Sequence, residues 1–137
     1  MSETVNKRIV DEIITQLNTV GVEFAEDAWH EQAPEEYGVV SQRSINSLQW
    51  ADGHIVNESH TIDVYLYVNP GSSGWWRAVT EKLEEIGDDL LLAYTMPERS
   101  YQYDIDKIMW HWTVTRYGPD EWTEETPEAE NDGADDD

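Results

Sequence analysis

The run Lys107-Ile108-Met109-Trp110-His111-Trp112-Thr113-Val114-Thr115-Arg116-Tyr117 alternates apolar and polar residues almost without a break. In an extended strand, successive side chains point to opposite faces. Ile108, Trp110, Trp112 and Val114 then share one face, and Met109, His111, Thr113, Thr115 and Tyr117 share the other. Strands are commonly five or six residues long, about half the length of this run. A second run, Thr61-Ile62-Asp63-Val64-Tyr65-Leu66-Tyr67-Val68, repeats the pattern. Two long half-buried strands with a helical segment between them require a small sheet with helices on one face. Neither run ends in residues of catalytic type.

The rest of the chain supplies the other elements. Ile9, Ile13, Ile14 and Leu17 recur at helical spacing, so Glu3 to Val20 reads as an amphipathic helix with Gly21 just past its end. Val22 to Ala25 and Tyr37 to Ser41 read as short strands, with a polar loop from Glu26 to Glu36 between them. Arg43 to Gln49 reads as loop, and Asp52-Gly53 is a turn signal leading into a long strand from Ile55 to Val68. Asn69 to Gly74 breaks that strand, and Ser73 is placed to cap a helix from Trp75 to Ile86 that Gly87 ends. Asp88 to Thr95 reads as a strand. Pro97 to Ser100 reads as a break, and Tyr101 to Asp104 as a possible further pairing.

The expected fold is therefore α+β: an antiparallel sheet of about four strands with two helices packed on one face. One domain covers residues 1–118. Residues 119–137 carry ten acidic side chains and no basic ones. Such a composition buries too little surface to offset ordering entropy, so an acidic disordered segment is expected there.

Composition limits the function. The chain has 137 residues and a formal net charge of −22. Without residues 119–137, 20 acids face 8 bases, a balance of −12. A surface this negative repels nucleic-acid backbones and anionic membranes, because binding to either needs Lys and Arg. No apolar stretch nears the ~20 residues that span a bilayer. The N-terminus leads into an amphipathic pattern and not an export signal, which implies synthesis in a cytosol. The absence of cysteine excludes disulfides, thiolate zinc sites and thiol catalysis.

No catalytic, cofactor-binding or metal site is expected. His30, His54, His60 and His111 do not fall at metal-ligand spacing. His54 and His60 share a strand face but sit ~20 Å apart at strand rise, so each reads as a solvent-facing strand histidine. Carboxylate pairs such as Glu84-Glu85 and Asp104 with Asp106 are expected by chance among thirty acids. Gly71-Ser72-Ser73-Gly74 before a helix lacks the Lys of a phosphate loop and reads as a strand-to-helix turn.

The aromatic set is skewed, with seven Trp and seven Tyr against one Phe. Trp and Tyr pair an apolar body with a polar handle and concentrate at protein interfaces. Tyr65 and Tyr67 fall opposite Ile62, Val64, Leu66 and Val68, so they point away from the helices. Trp75 and Trp76 cannot both face the core of one helix. These four residues are the expected protein-interface candidates; the alternative is that they wrap the sheet edge of the same chain.

An N-terminal helix ending in Gly-Val-Glu-Phe, the phrase Trp50-Ala51-Asp52-Gly53-His54 before a long strand, and the strand Asp-Val-Tyr-Leu-Tyr-Val-Asn before a second helix together make a familiar order. Over roughly residues 1–118 the chain resembles the tail terminator, or tail-completion, proteins of long-tailed bacteriophages, also described as minor capsid or head–tail joining proteins. The resemblance implies a structural virion component and no enzyme. It implies a ring, usually of six subunits, at the head-proximal end of the tail tube, with the tail tube protein and the head–tail connector as partners. DNA passes through such a ring without being specifically bound, and a negative wall suits that passage. Two other readings stand beside it: an acidic DNA-mimic inhibitor, and a small binding domain or hydrolase.

Overall fold

The computed structural model describes residues 2–29, 31–51, 54–72, 74–119 and 121–127; of residues 2–6, 44–51, 54–58 and 121–127 only the backbone is described. The fold is mixed α+β, with two α-helices and a six-stranded sheet, and a separate pair of strands beside it.

The first element is not helical. Ser2–Arg8 is strand β1, and helix α1 begins only at Ile9 and runs to Leu17. Arg8, at φ −109° and ψ 142°, marks the change from extended to helical backbone. The expected helix from Glu3 is therefore shortened. Val5 fits helical spacing, but the backbone of β1 pairs with a partner from the far end of the chain. That partner is β8, Glu121–Pro127, antiparallel to β1, with Arg8 opposite Glu121 and Ser2 opposite Pro127. The expectation of disorder from 119 onward is corrected over this segment: backbone pairing does not require apolar burial, and the register sets basic Arg8 against an acid. Residues 128–137 lie outside the described residues.

A short 3₁₀ turn, Asn18–Val20, closes α1, and Gly21 adopts the left-handed backbone (φ 113°) expected of a helix stop. Strand β2, Glu23–Glu26, then runs parallel to β3, Tyr37–Ala51. Phe24 of β2 lies against Gly38 of β3, where an added Cβ would collide with the ring. Strand β3 is far longer than expected and absorbs the Arg43–Gln49 segment. It pairs antiparallel with β4, His54–Val68, through to Ala51 opposite His54. Asp52 and Gly53, the turn signal, lie outside the described residues.

After β4, helix α2 spans Trp75–Leu90 and then β5 (Leu92–Tyr94), β6 (Glu98–Gln102) and β7 (Lys107–Tyr117) follow. Gly87 does not end α2. The helix continues to Leu91, which takes the left-handed conformation (φ 56°) and returns its N–H to the Gly87 carbonyl. Arg116 donates to the carbonyl of Leu90, and Tyr117 N–H to that of Leu91 (2.9 Å), so the helix end is satisfied by β7. The strand expected from Asp88 therefore begins at Leu92. Ser73, the expected cap, lies outside the described residues; Gly74 holds the cap position without a side-chain bond.

The strand order is β2-β3-β4-β7-β5, with β6 sharing the same edge of β7 as β5. Six strands replace the expected four, and the β2–β3 pair is parallel in an otherwise antiparallel sheet. Both helices bury their apolar stripes on one side, as expected. Ile9, Val10, Ile13 and Leu17 of α1 and Val79, Leu83 and Ile86 of α2 form one cluster with Val40, Ile62, Val64, Leu66, Trp112 and Val114. Trp112 is fully buried, and its indole N–H donates to the Thr80 hydroxyl (3.0 Å), which itself donates to the Trp76 carbonyl (2.8 Å).

The sheet is not equally wide along its length. β2 pairs with β3 only over Tyr37–Val40, and β7 pairs with β4 only over Ser59–Val68. From Ser47 in β3 and Glu58 in β4 outward, among the described residues, the two strands pair with each other alone, as a two-stranded ribbon carrying register shifts at Ser47/Gln49 and Gln49/Trp50; a further shift, Gln42/Ser44, lies inside the sheet opposite Ile62 and Thr61. Five residues of β4, His54 to Glu58, rise about 17 Å at strand spacing. No described helix is long and apolar enough to cross a membrane.

Candidate functional site

The face of the sheet turned away from the helices carries an aromatic row. Alternation along β4 places Asp63, Tyr65 and Tyr67 there, and cross-strand register sets Tyr37 opposite Tyr67 and His111 opposite Tyr65. The rings follow that register. Tyr37 stacks on Tyr67 with centroids 5.0 Å apart, Tyr67 on Tyr65 at 6.5 Å, and Tyr65 on His111 at 4.6 Å. Trp29, from the loop between β2 and β3, meets Tyr37 edge to face at 6.1 Å and 76°. Its indole N–H donates to the Gly38 carbonyl (3.1 Å), which fixes the ring over the end of the row. Adjacent stacked rings contribute about 0.5–1.5 kcal/mol per pair beyond the area they bury.

Tyr65 and Tyr67 thus lie on the expected face, but they are half-buried because the rings shield one another. Burial pushes both hydroxyls above the usual tyrosine value. For Tyr67 the neighbouring Tyr37 and Tyr65 push the same way; for Tyr65 the Asp63 carboxylate does.

Asp63 sits at the inner end of the row with only 5% of its surface exposed. A buried carboxylate needs partners, and it has two. Arg43 grips both oxygens, Nε to Oδ2 at 2.9 Å and a terminal nitrogen to Oδ1 at 2.5 Å, while Nε2 of His111 donates to Oδ1 at 2.6 Å. Burial alone would raise the carboxyl pKa. The hydrogen bonds from Arg43 and His111, and their charge, outweigh it and hold Asp63 below the usual aspartate value. Because an ionised carboxylate only accepts, Nε2 of His111 carries a proton.

Trp75 and Trp76 lie elsewhere. Both start α2 on the helix side of the sheet and pack against the core. The Trp75 indole donates to Glu36 Oε1 (3.2 Å) and its ring lies where a side chain at Gly21 would have to go. Glu36 also accepts from the Asn69 N–H (3.0 Å) and the Ser72 hydroxyl. One carboxylate therefore fastens the β4–α2 connection and the start of α2 to the β3 side of the sheet. Burial would raise the Glu36 pKa, and these donors, with the Lys107 charge, bring it below its usual value. Trp76 stacks on Trp110 at 5.1 Å, with the Arg77 guanidinium 4.8 Å over its ring. The four expected interface residues thus fall on opposite sides of the sheet and form two groups.

The histidines differ from expectation. His60 is 1% exposed, on the core side, and its Nδ1 bonds the Gln42 side chain at 2.7 Å. His111 is bound to Asp63. His30 lies outside the described residues, and only the backbone of His54 is described. Among the described residues, no cluster of three or more His, Asp or Glu could hold a metal ion. Sequence reading missed Asp63, Arg43 and Trp29. Asp63 left a signal: it is the lone acid inside the apolar run 61–68, a residue type that strands disfavour.

No protein-family model matches the chain, and no curated protein matches it either.

Proposed function

We propose that this chain is a structural subunit that closes into a ring, in the manner of a phage tail terminator. The ring caps the head-proximal end of a tail tube and joins it to the head connector. The observation that carries this reading is the β3–β4 ribbon, which extends past the sheet and, among the described residues, pairs only with itself. A lone two-stranded hairpin is marginally stable in water, so a ribbon held clear of its sheet is suited to lie against a second subunit. Head-to-tail contacts of that kind close rings. The aromatic row supplies a second contact surface of interface composition. The balance of −12 over residues 1–118 supplies a wall from which DNA is repelled as it passes. The protein is then made in the host cytoplasm and ends in the virion, with the tail tube protein and the connector as neighbours.

Analytical ultracentrifugation and electron microscopy test this directly. The full chain should form rings at high concentration or on purified tail tubes. Joining Ile45 to His60 through Asn-Gly, at an existing register pair, should remove the ribbon, leave a folded monomer and abolish ring formation. Tyr65→Ser with Tyr67→Ser should weaken assembly while the monomer stays folded. A chain that stays monomeric at every concentration and ignores tail tubes, or a ribbonless variant that assembles normally, would refute the ring.

A further inference from the structure

At the outer end of the aromatic row the surface forms an open cavity of about 330 Å³. This is the lower end of the range for ligand-binding clefts. It is lined by Trp29, Tyr37 and Tyr67 on one side and by Gln102, Asp104 and Ile105 on the other. Three separate segments build it: the β2–β3 loop, the facing strands β3 and β4, and the turn from β6 into β7.

The rings set the chemistry of the wall. Trp29 and Tyr37 both line the cavity and stand 76° apart, so aromatic surface bounds it at two orientations. Ring faces carry the negative lobe of the π quadrupole and attract cations. Among the described residues the lining adds one carboxylate, Asp104, and no basic side chain. The basic residue at the foot of that turn, Lys107, already donates its ammonium to Asn69 Oδ1 (2.6 Å) and lies beside the Glu36 carboxylate. The Trp29 indole N–H is held by the Gly38 carbonyl, so the wall is set before any ligand arrives.

We infer that this cavity is a binding site for the cationic head of an arginine or lysine side chain presented by a partner polypeptide. A chain of charge −22 draws basic partners by long-range attraction, and the cavity gives that attraction one fixed point of contact. A neutral group of the same size gains the apolar contact but neither the ring-face attraction nor the Asp104 charge. The inference concerns the single folded chain and does not depend on ring formation.

The test uses the full chain labelled with ¹⁵N, following the Trp29 indole N–H resonance identified from the Trp29→Phe spectrum. Tetramethylammonium chloride and the peptide Gly-Gly-Arg-Gly-Gly, each against matched sodium chloride, should move that resonance saturably. Tert-butanol and Gly-Gly-Gln-Gly-Gly should not. Tyr37→Leu should weaken both cations about tenfold, the effect of losing a desolvated cation–π contact. If that variant does not fold, Asp104→Asn, at an exposed turn position, should still weaken them about threefold, as for an exposed ion pair. Equal responses to the charged and neutral probes, or none to any, would overturn the site. Saturable binding of tetramethylammonium with none of the arginine peptide would overturn the polypeptide source and leave a site for free organic cations.

Discussion

On the helix side of the central sheet, Ile62, Val64, Leu66, Trp112 and Val114 meet two apolar helix stripes, and every one of them is fully buried. One residue along the same strands, on the other side, Asp63, Tyr65, Tyr67 and His111 meet one another through stacked rings and charge-assisted hydrogen bonds. The first side is held by area removed from water. The second is held by directional contacts that depend on which protons are bound. A single alternating strand thus feeds one surface packed by area and another built from directional contacts.

The largest expected effect lies on the helix side. Trp112→Ala should lower unfolding free energy by about 3–5 kcal/mol, the range for deleting a buried large aromatic. Urea denaturation should show it, and a loss no larger than that of Tyr65→Ala would break the contrast between the faces. Gly38→Ala comes next, because its Cβ would enter the Phe24 ring; overpacking of this kind destabilises by about 1–3 kcal/mol.

The open face should respond to acid. Asp63 prefers its ionised form in the fold, since Arg43 and His111 hold its pKa below the ordinary aspartate value of 3.8. Its stabilising contribution is therefore complete above 3.8 and is lost as pH falls below that, through the folded-state value. Asp63→Asn should cost about 1–2 kcal/mol at neutral pH, the scale of a lost charge-assisted bond. It should also make the acid limb of the stability curve shallower than in the parent. An unchanged limb would mean that Arg43 and His111 do not favour the carboxylate. The smallest effect should follow removal of residues 121–137. The main sheet and core stay intact, so melting shifts little, while amide exchange in β1 accelerates once β8 is gone. Unchanged exchange would show that β1 needs no partner.

How much of this was legible depended on which force set each element. The strand Lys107–Tyr117 matches the sequence reading residue for residue, because strict alternation admits one solution when one face is buried. The placement of Tyr65 and Tyr67, and the stop at Gly21, follow from equally local rules. Elements held by distant partners were not legible. β1 carries a residue at helical spacing yet pairs with β8 from more than a hundred residues away. α2 runs past Gly87 because Arg116, on β7, supplies the bond its end requires. The outer part of β3 is polar on the page because a ribbon outside the sheet has no core to alternate against. At the candidate site, the aromatic types were visible, but the stacking order was not. It depends on the register of β3 with β4 and of β4 with β7, and on a loop that brings in Trp29.

The ribbon has a mechanical consequence. β3 carries an extra residue at Arg43 and at Leu48, and β4 carries one at Val56, whereas from Ser59 to Tyr67 β4 pairs on both sides without a skipped residue. Bending at the outer end is therefore taken up at these interruptions, and the inner part of β4 behaves as a stiff rod. That rod is also the middle strand of the sheet and bears Asp63, Tyr65 and Tyr67. A load that reaches Ser59 is delivered along the doubly paired part of β4 to the stacked rings, with no skipped residue in between.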